Sequence, residues 1–162
     1  MKQEHVFNEL SAFSLPAWNE IPDVGLYLDQ VTKFINSYLE PFGMGVTPSM
    51  ISNYVKLKII SREGKKIYSR ERISALLFVA VMKTVLSMDQ IRNVLSDCTG
   101  AESPEEFYTL FVKSLKAHLK EFESQPVRQE TSESGMMDII TAAAANKIFI
   151  DMYFRLQYPQ TD

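Results

Sequence analysis

Ser49, Ser52, Asn53 and Lys56 recur at three- and four-residue intervals, so a helix through them gathers all four on one polar face. Three of these side chains are short, which lets a helix backbone come close to base edges, and an asparagine amide can pair with N6 and N7 of adenine in a DNA major groove. Cations follow at Lys58, Arg62, Lys65, Lys66 and Arg70. Between residues 47 and 72 there are seven Lys or Arg against two Glu, a net of +5 in a chain whose total is −3, which leaves −8 for the remainder. A basic segment on an acidic body is a directed electrostatic footprint, suited to neutralising phosphates beside a groove. Lysine-rich turns also occur on ordinary solvated surfaces. Their clustering here on one helix and the turn after it favours a nucleic acid.

Other chemistries have less to build on. The chain holds one cysteine, Cys98, and two histidines, His5 and His118, with no G-x-S-x-G, Walker loop, dinucleotide fingerprint, H-E-x-x-H or paired C-x-x-C. Nucleophilic use of Cys98 requires a base that neither histidine is evidently placed to supply. His118 lacks metal-ligating partners and, beside Leu119, reads as a packing residue. Trp18, close to Pro16, reads as a core or lid anchor ahead of a ligand-stacking ring. The expectation is a protein that is not an enzyme, with no catalytic residue, no metal and no cofactor.

The elements that position the polar face can be read from their ends. Thr47 is a good N-cap and Pro48 suits the first helical position, so a helix is expected from Pro48 with Met50, Ile51, Tyr54 and Val55 on its inner face. The basic turn around Gly64 then leads to Ile67 and Tyr68, a short strand-like hairpin over residues 61–68 with the shape of a wing. Ser69 caps an aliphatic helix carrying Ile73, Leu76, Leu77, Ala80, Val81 and Val85, and Ser87 with Gln90 forms a capping box for one more helix.

Upstream, Val6, Leu10 and Phe13 share a helical face that Pro16 ends, an arm expected to pack on the head, and Asp23 is expected to cap a helix striped by Val24, Leu28, Val31, Ile35 and Leu39. Downstream, Ser103, Pro104 and Glu106 mark a helix start, with Phe107, Leu110, Phe111, Leu115 and Leu119 at helical spacing. Residues 124–134 are polar and read as an exposed connector. The last helix, from about Met136 to Leu156, is apolar nearly all round and includes four alanines, 142–145. Such a surface must be covered by this chain or by a second copy.

Thr-Pro-Ser-x-Ile-x-x-Tyr from Thr47, the basic Gly-containing turn, Lys-Ile-Tyr-Ser from Lys66, an aliphatic helix and Ser-Met-x-x-Ile from Ser87 together resemble the winged helix-turn-helix of MerR-type transcription regulators. The segments IPDVGLYLDQV, TPSMISNYVK and KKIYSRERI are similar to a bacterial family known as a domain of unknown function (DUF), to which a MerR-like head is assigned; that likeness covers roughly residues 16–120. The pattern departs at Ser52 and Asn53, where MerR-type proteins usually carry Arg and an aromatic, and at Lys66, which replaces an Arg. The resemblance implies double-stranded DNA as partner, a homodimer, and a DNA-contacting set of Thr47, Ser49, Ser52, Asn53, Tyr54, Lys56, Lys58, Arg62, Lys65, Lys66, Tyr68 and Arg70.

The expected fold is all-α: an N-terminal arm over residues 1–22, a winged helix-turn-helix head with a small β wing over 23–98, and a C-terminal helical packing or dimerisation region over 99–162. The expected function is transcription regulation by DNA binding. The alternative is a protein-interaction or structural adaptor that keeps the helix-turn-helix shape without operator binding. Met1 is followed by no apolar signal core and the longest apolar run, residues 73–85, is too short to span a bilayer, so a cytoplasmic protein with no membrane partner is expected. The residues do not identify a small-molecule effector.

Overall fold

Local capping chemistry sets where most of the helices begin. The computed structural model describes residues 2–62, 66–98, 103–124 and 133–159, and divides the chain into two compact units, Ala12–Lys116 and Met1–Ser11 with Ala117–Asp162. The helices are α1 (Lys2–Ala12), α2 (Leu28–Leu39), α3 (Pro48–Lys56), α4 (Arg70–Met82), α5 (Met88–Cys98), α6 (Pro104–Ser124) and α7 (Glu133–Gln157). Thr47 Oγ1 accepts from the Met50 N–H at 3.2 Å with Pro48 opening α3, and Ser69 Oγ accepts from the Arg72 N–H at 3.4 Å. Reciprocal capping boxes start α5, between Ser87 and Gln90, and α6, between Ser103 and Glu106.

Helix α2 starts later than the apolar stripe suggests. Its first turn is closed by the Gln30 side chain, which accepts from the Tyr27 N–H at 2.9 Å, while Asp23 pairs with Arg70 at 3.7 Å and caps nothing. Gly25 adopts φ +66°, a left-handed conformation that turns the chain ahead of the helix and leaves Val24 exposed. Val31, Ile35 and Leu39 do form the buried face.

In the unit Ala12–Lys116 the core is built around α4. This helix is apolar on all sides, and Ile73, Leu76, Leu77, Phe78, Val79, Ala80 and Val81 are all buried against α2, α5 and the first part of α6. Phe78 meets Phe107 and Phe111 edge-on, with ring centroids 5.0 and 5.1 Å apart. The helix ends at Met82, and tight turns through residues 83–86 place Val85 outside the core. Core residues lie on both sides of the span 23–98: Ile21 before it, Tyr108 and Phe111 after it. Tyr108 is the largest fully buried side chain among the described residues, and its hydroxyl donates to Pro16 O at 2.8 Å. Trp18 packs beside it at 6.2 Å, a packing role.

The hairpin expected over residues 61–68 is not present among the described residues. Tyr68 pairs with Leu26, ahead of α2, through N–H···O bonds of 2.7 and 3.0 Å that form one isolated antiparallel bridge. Glu63, Gly64 and Lys65, the tip of the expected wing, lie outside the described residues, as does most of the expected connector before α7.

In the other unit, α7 exposes Met136, Met137, Ile140, Ile148, Phe149, Met152, Tyr153 and Leu156, and Val6 of α1 is exposed too. His118 is also solvent-facing, 3.5 Å from Glu121, and so departs from the packing role expected of it. Among the described residues no helix is long and apolar enough to cross a membrane, and no group of three or more His, Cys, Asp or Glu could hold a metal ion.

Candidate nucleic-acid interface

Helix α3 is nine residues long, and its two faces differ sharply in what they touch. Ile51 and Tyr54 are buried, and burial pushes the Tyr54 phenol above its ordinary range; Ser49, Ser52, Asn53 and Lys56 are exposed. Asn36 fixes how the helix leaves α2. Its Nδ2 donates to Val46 O at 2.8 Å and its Oδ1 accepts from the Val46 N–H at 2.7 Å, a two-bond clasp on the residue next to the cap Thr47. Lys83, whose ammonium is pushed down by desolvation, reaches Gly45 O at 3.4 Å in the same turn.

The end of α3 is equally well held. Lys58 N–H donates to Val55 O at 3.0 Å and Ile59 N–H to Tyr54 O at 2.9 Å, the two bonds of a Schellman closure. The residue at its left-handed position is Lys58, with φ +58°, where glycine is usual. Arg92 of α5 donates to Leu57 O from Nη2 at 2.9 Å and pairs with Asp89 at 2.6 Å, so a guanidinium covers the carbonyl of the residue that caps the α3 C-terminus. Ile59 and Ile60 then enter the core, and Arg62 and Lys66 lie on the exposed chain beyond them.

The sequence-derived set therefore divides. Ser49, Ser52, Asn53, Lys56, Lys58, Arg62 and Lys66 are exposed, Thr47 is exposed as the cap, and Lys65 lies outside the described residues. Among the described residues no ion pair engages Lys56, Lys58, Arg62 or Lys66. Tyr54 and Tyr68 are core residues, at 4% and 6% exposure, and their rings do not face solvent. Arg70 is turned inward: Nε donates to Ile21 O at 2.8 Å, Nη2 pairs with Asp23, and the guanidinium lies 5.8 Å from the Trp18 ring. Tyr68 and Arg70 depart from the surface role expected of them because each is held within the fold, and Tyr54, placed by its spacing on the inner face of α3 yet included in the DNA-contacting set, is buried as that spacing requires.

Arg72 behaves similarly. Its Nη1 donates to Ile67 O at 2.7 Å and its guanidinium sits over the Tyr68 ring at 4.1 Å, while desolvation lowers its pKa. The two arginines and the Leu26–Tyr68 bridge hold the chain on either side of the basic turn against the body. The exposed cations need not do that work. The structural role of Asn36, Arg72 and Arg92 was not legible in the sequence, since their partners lie 10, 5 and 35 residues away.

What this geometry presents is a short helix, held at both ends by hydrogen bonds, with a small polar face followed by cations that no ion pair engages among the described residues. The family described as Domain of unknown function (DUF1836) matches residues 16–111. Neither the curated proteins nor the solved structures hold a match to the chain.

Proposed function

We propose that this chain, which belongs to the family described as Domain of unknown function (DUF1836), binds double-stranded DNA as a transcription regulator with a MerR-like winged helix-turn-helix head. Helix α3 enters the major groove. Ser49, Ser52 and Asn53 meet base edges, and Lys56, Lys58, Arg62, Lys65 and Lys66 neutralise phosphates. The observation that carries this reading is the exposed face of α3, polar and short-chained, continued by cations that no carboxylate among the described residues satisfies. Self-association through α7 belongs to the same proposal, because eight large apolar side chains of that helix are exposed in the single chain. Two copies would match half-sites roughly one helical turn of DNA apart, or a multiple of it.

Fluorescence anisotropy against genomic fragments at two salt concentrations tests the reading. Salt-dependent binding with a preferred fragment is expected. Lys66→Ala should weaken binding to every fragment and lower the salt slope by roughly 0.9, whereas Asn53→Ala should cost about 1–3 kcal/mol on the preferred site alone. The second reading, an adaptor without operator binding, is favoured by the absence of arginine from the exposed face of α3 and by the inward anchoring of Arg70. No binding at low salt would select it. A well-folded monomer in sedimentation at high micromolar concentration would remove the dimer.

A further inference from the structure

Helix α7 belongs to the unit formed by Met1–Ser11 and Ala117–Asp162, and its two sides differ. One side carries Ile139, Ile150, Phe154 and Tyr158, all half-buried. On the other, Asp138, Thr141, Ala145, Ile148, Met152 and Arg155 are all exposed and follow one another in alternating steps of three and four residues. That alternation is the seam of a coiled coil, along which one helix receives the side chains of another. The middle of this seam suits a dry contact. Ala145, Ile148 and Met152 are apolar, and Thr141 donates its hydroxyl to Met137 O at 2.9 Å, so that group has its partner inside its own helix.

The two ends of the seam carry opposite charges. Among the described residues no ion pair engages Asp138 or Arg155. They lie seventeen residues apart on one helix, roughly 25 Å at about 1.5 Å per residue, so they cannot pair with each other within a chain.

We infer that this seam is covered by the same seam of a second copy running antiparallel, with Asp138 of each copy opposite Arg155 of the other. In that register Thr141 faces Met152 and Ala145 faces Ile148, so a smaller side chain meets a larger one in each layer, and the two-fold axis crosses between Asn146 and Lys147. The charges decide against the alternatives. A parallel pair sets Asp138 against Asp138 and Arg155 against Arg155, like charges at both ends. Antiparallel copies slipped by one heptad set Asp138 against Ile148, or Arg155 against Ala145, and lose both ion pairs. The apolar layers supply affinity, and the charged ends supply orientation and register. This geometry deepens the self-association through α7 proposed above and rests on it; it does not rest on DNA binding.

Sedimentation of the full-length chain tests the pairing. Asp138→Arg and Arg155→Asp each turn two attractions into two repulsions, and each should raise the dimer dissociation constant by about tenfold. The chain carrying both exchanges, and an equimolar mixture of the two single variants, should each return to within about threefold of the parent. Both positions are exposed, so circular dichroism should show every variant folded. In a Cys98→Ser background, Thr141→Cys and Met152→Cys chains should form a disulfide-linked dimer under mild oxidation when mixed, and neither should do so alone. The two copies of either position lie roughly 16 Å apart along an antiparallel pair, beyond the reach of a disulfide. Cross-linking of either variant alone, single exchanges that associate as tightly as the parent, or a double exchange as weak as the single ones would overturn the register while leaving self-association in place. A parent chain that sediments as a monomer at high micromolar concentration would overturn both.

Discussion

Replacing Asn36 by alanine removes both halves of the clasp that sets α3 on α2. The bonds to Val46 O and from the Val46 N–H are 2.8 and 2.7 Å long, and Val46 itself is 4% exposed, so water cannot easily replace either partner. Two hydrogen bonds at about 1 kcal/mol each give about 2 kcal/mol, and leaving the Val46 amide groups unsatisfied raises this to about 3 kcal/mol. Alanine is the better helix former by about 0.6 kcal/mol, which offsets part of the loss. A net destabilisation of roughly 1.5–2.5 kcal/mol follows, or a fall in Tm of about 6–20 °C for a domain of about 100 residues. Urea titration followed by circular dichroism reads this as a lower midpoint at unchanged slope, since the surface exposed on unfolding is the same. Asn36→Asp keeps the acceptor but turns an oxygen toward Val46 O, and should be at least as damaging. A loss below about 0.5 kcal/mol for Asn36→Ala would place the strength of the α2–α3 turn elsewhere and refute the clasp.

Lys58→Gly should stabilise the fold by about 0.5 kcal/mol, because relief of the left-handed backbone outweighs a smaller loss at the α3 C-terminus; thermal denaturation checks it, and the same variant should lose roughly 0.9 from the salt slope on DNA. Gly25→Ala should cost about 1–2 kcal/mol from its φ of +66°. The added Cβ would also lie 2.3 Å from Ile67 Cγ2, but that side chain is 43% exposed and can swing away, so an effect much above 3 kcal/mol in a urea titration would mean that the Leu26–Tyr68 bridge had been lost as well. Desolvation raises the Tyr108 and Tyr54 phenols above their ordinary value of 10.0. Folding stability from these groups is therefore fully present below pH 10 and falls above it, as the unfolded chain releases phenolic protons that the folded chain retains, by up to about 1.4 kcal/mol per pH unit for each. Alkaline unfolding curves should show that slope, and Tyr108→Phe should reduce it at the expense of the bond to Pro16 O.

Helix starts were legible because their signals are local. Thr47 with Pro48, Ser69, the Ser87–Gln90 pair and the Ser103–Glu106 pair all act within one turn of themselves. Asp23 misled because nothing local distinguishes a capping carboxylate from one drawn to Arg70, 47 residues on. Tyr108 was hidden behind Leu110 in the choice of the buried face of α6. Tyr108, Phe111, Val112 and Leu115 form the stripe that packs, while Leu110 is 56% exposed. The inner side of α3 could be read from its period; the fate of Arg70 and Arg72 could not. A cation's sequence neighbours say nothing about a backbone carbonyl or aromatic ring that the fold brings beside it.

That inward commitment of two arginines bears on how a DNA contact would be partitioned. Arg70 and Arg72 spend their forks on Ile21 O, Ile67 O, Asp23 and the Tyr68 ring, so the chain flanking the basic turn is anchored without Lys56, Lys58, Arg62 or Lys66. The exposed set then contains one arginine and three lysines, point charges that attract phosphates and carry little directional readout. Discrimination among bases would fall to Ser49, Ser52 and Asn53, of which only the asparagine carries its donor and acceptor on separate atoms, as a bidentate base contact requires. A head of this kind would draw most of its base discrimination from one residue, Asn53, so operator selection would lean on the spacing of two heads as well. Covering the exposed apolar side chains of α7 with a second copy would supply that spacing, which makes the oligomeric state and the DNA specificity one question.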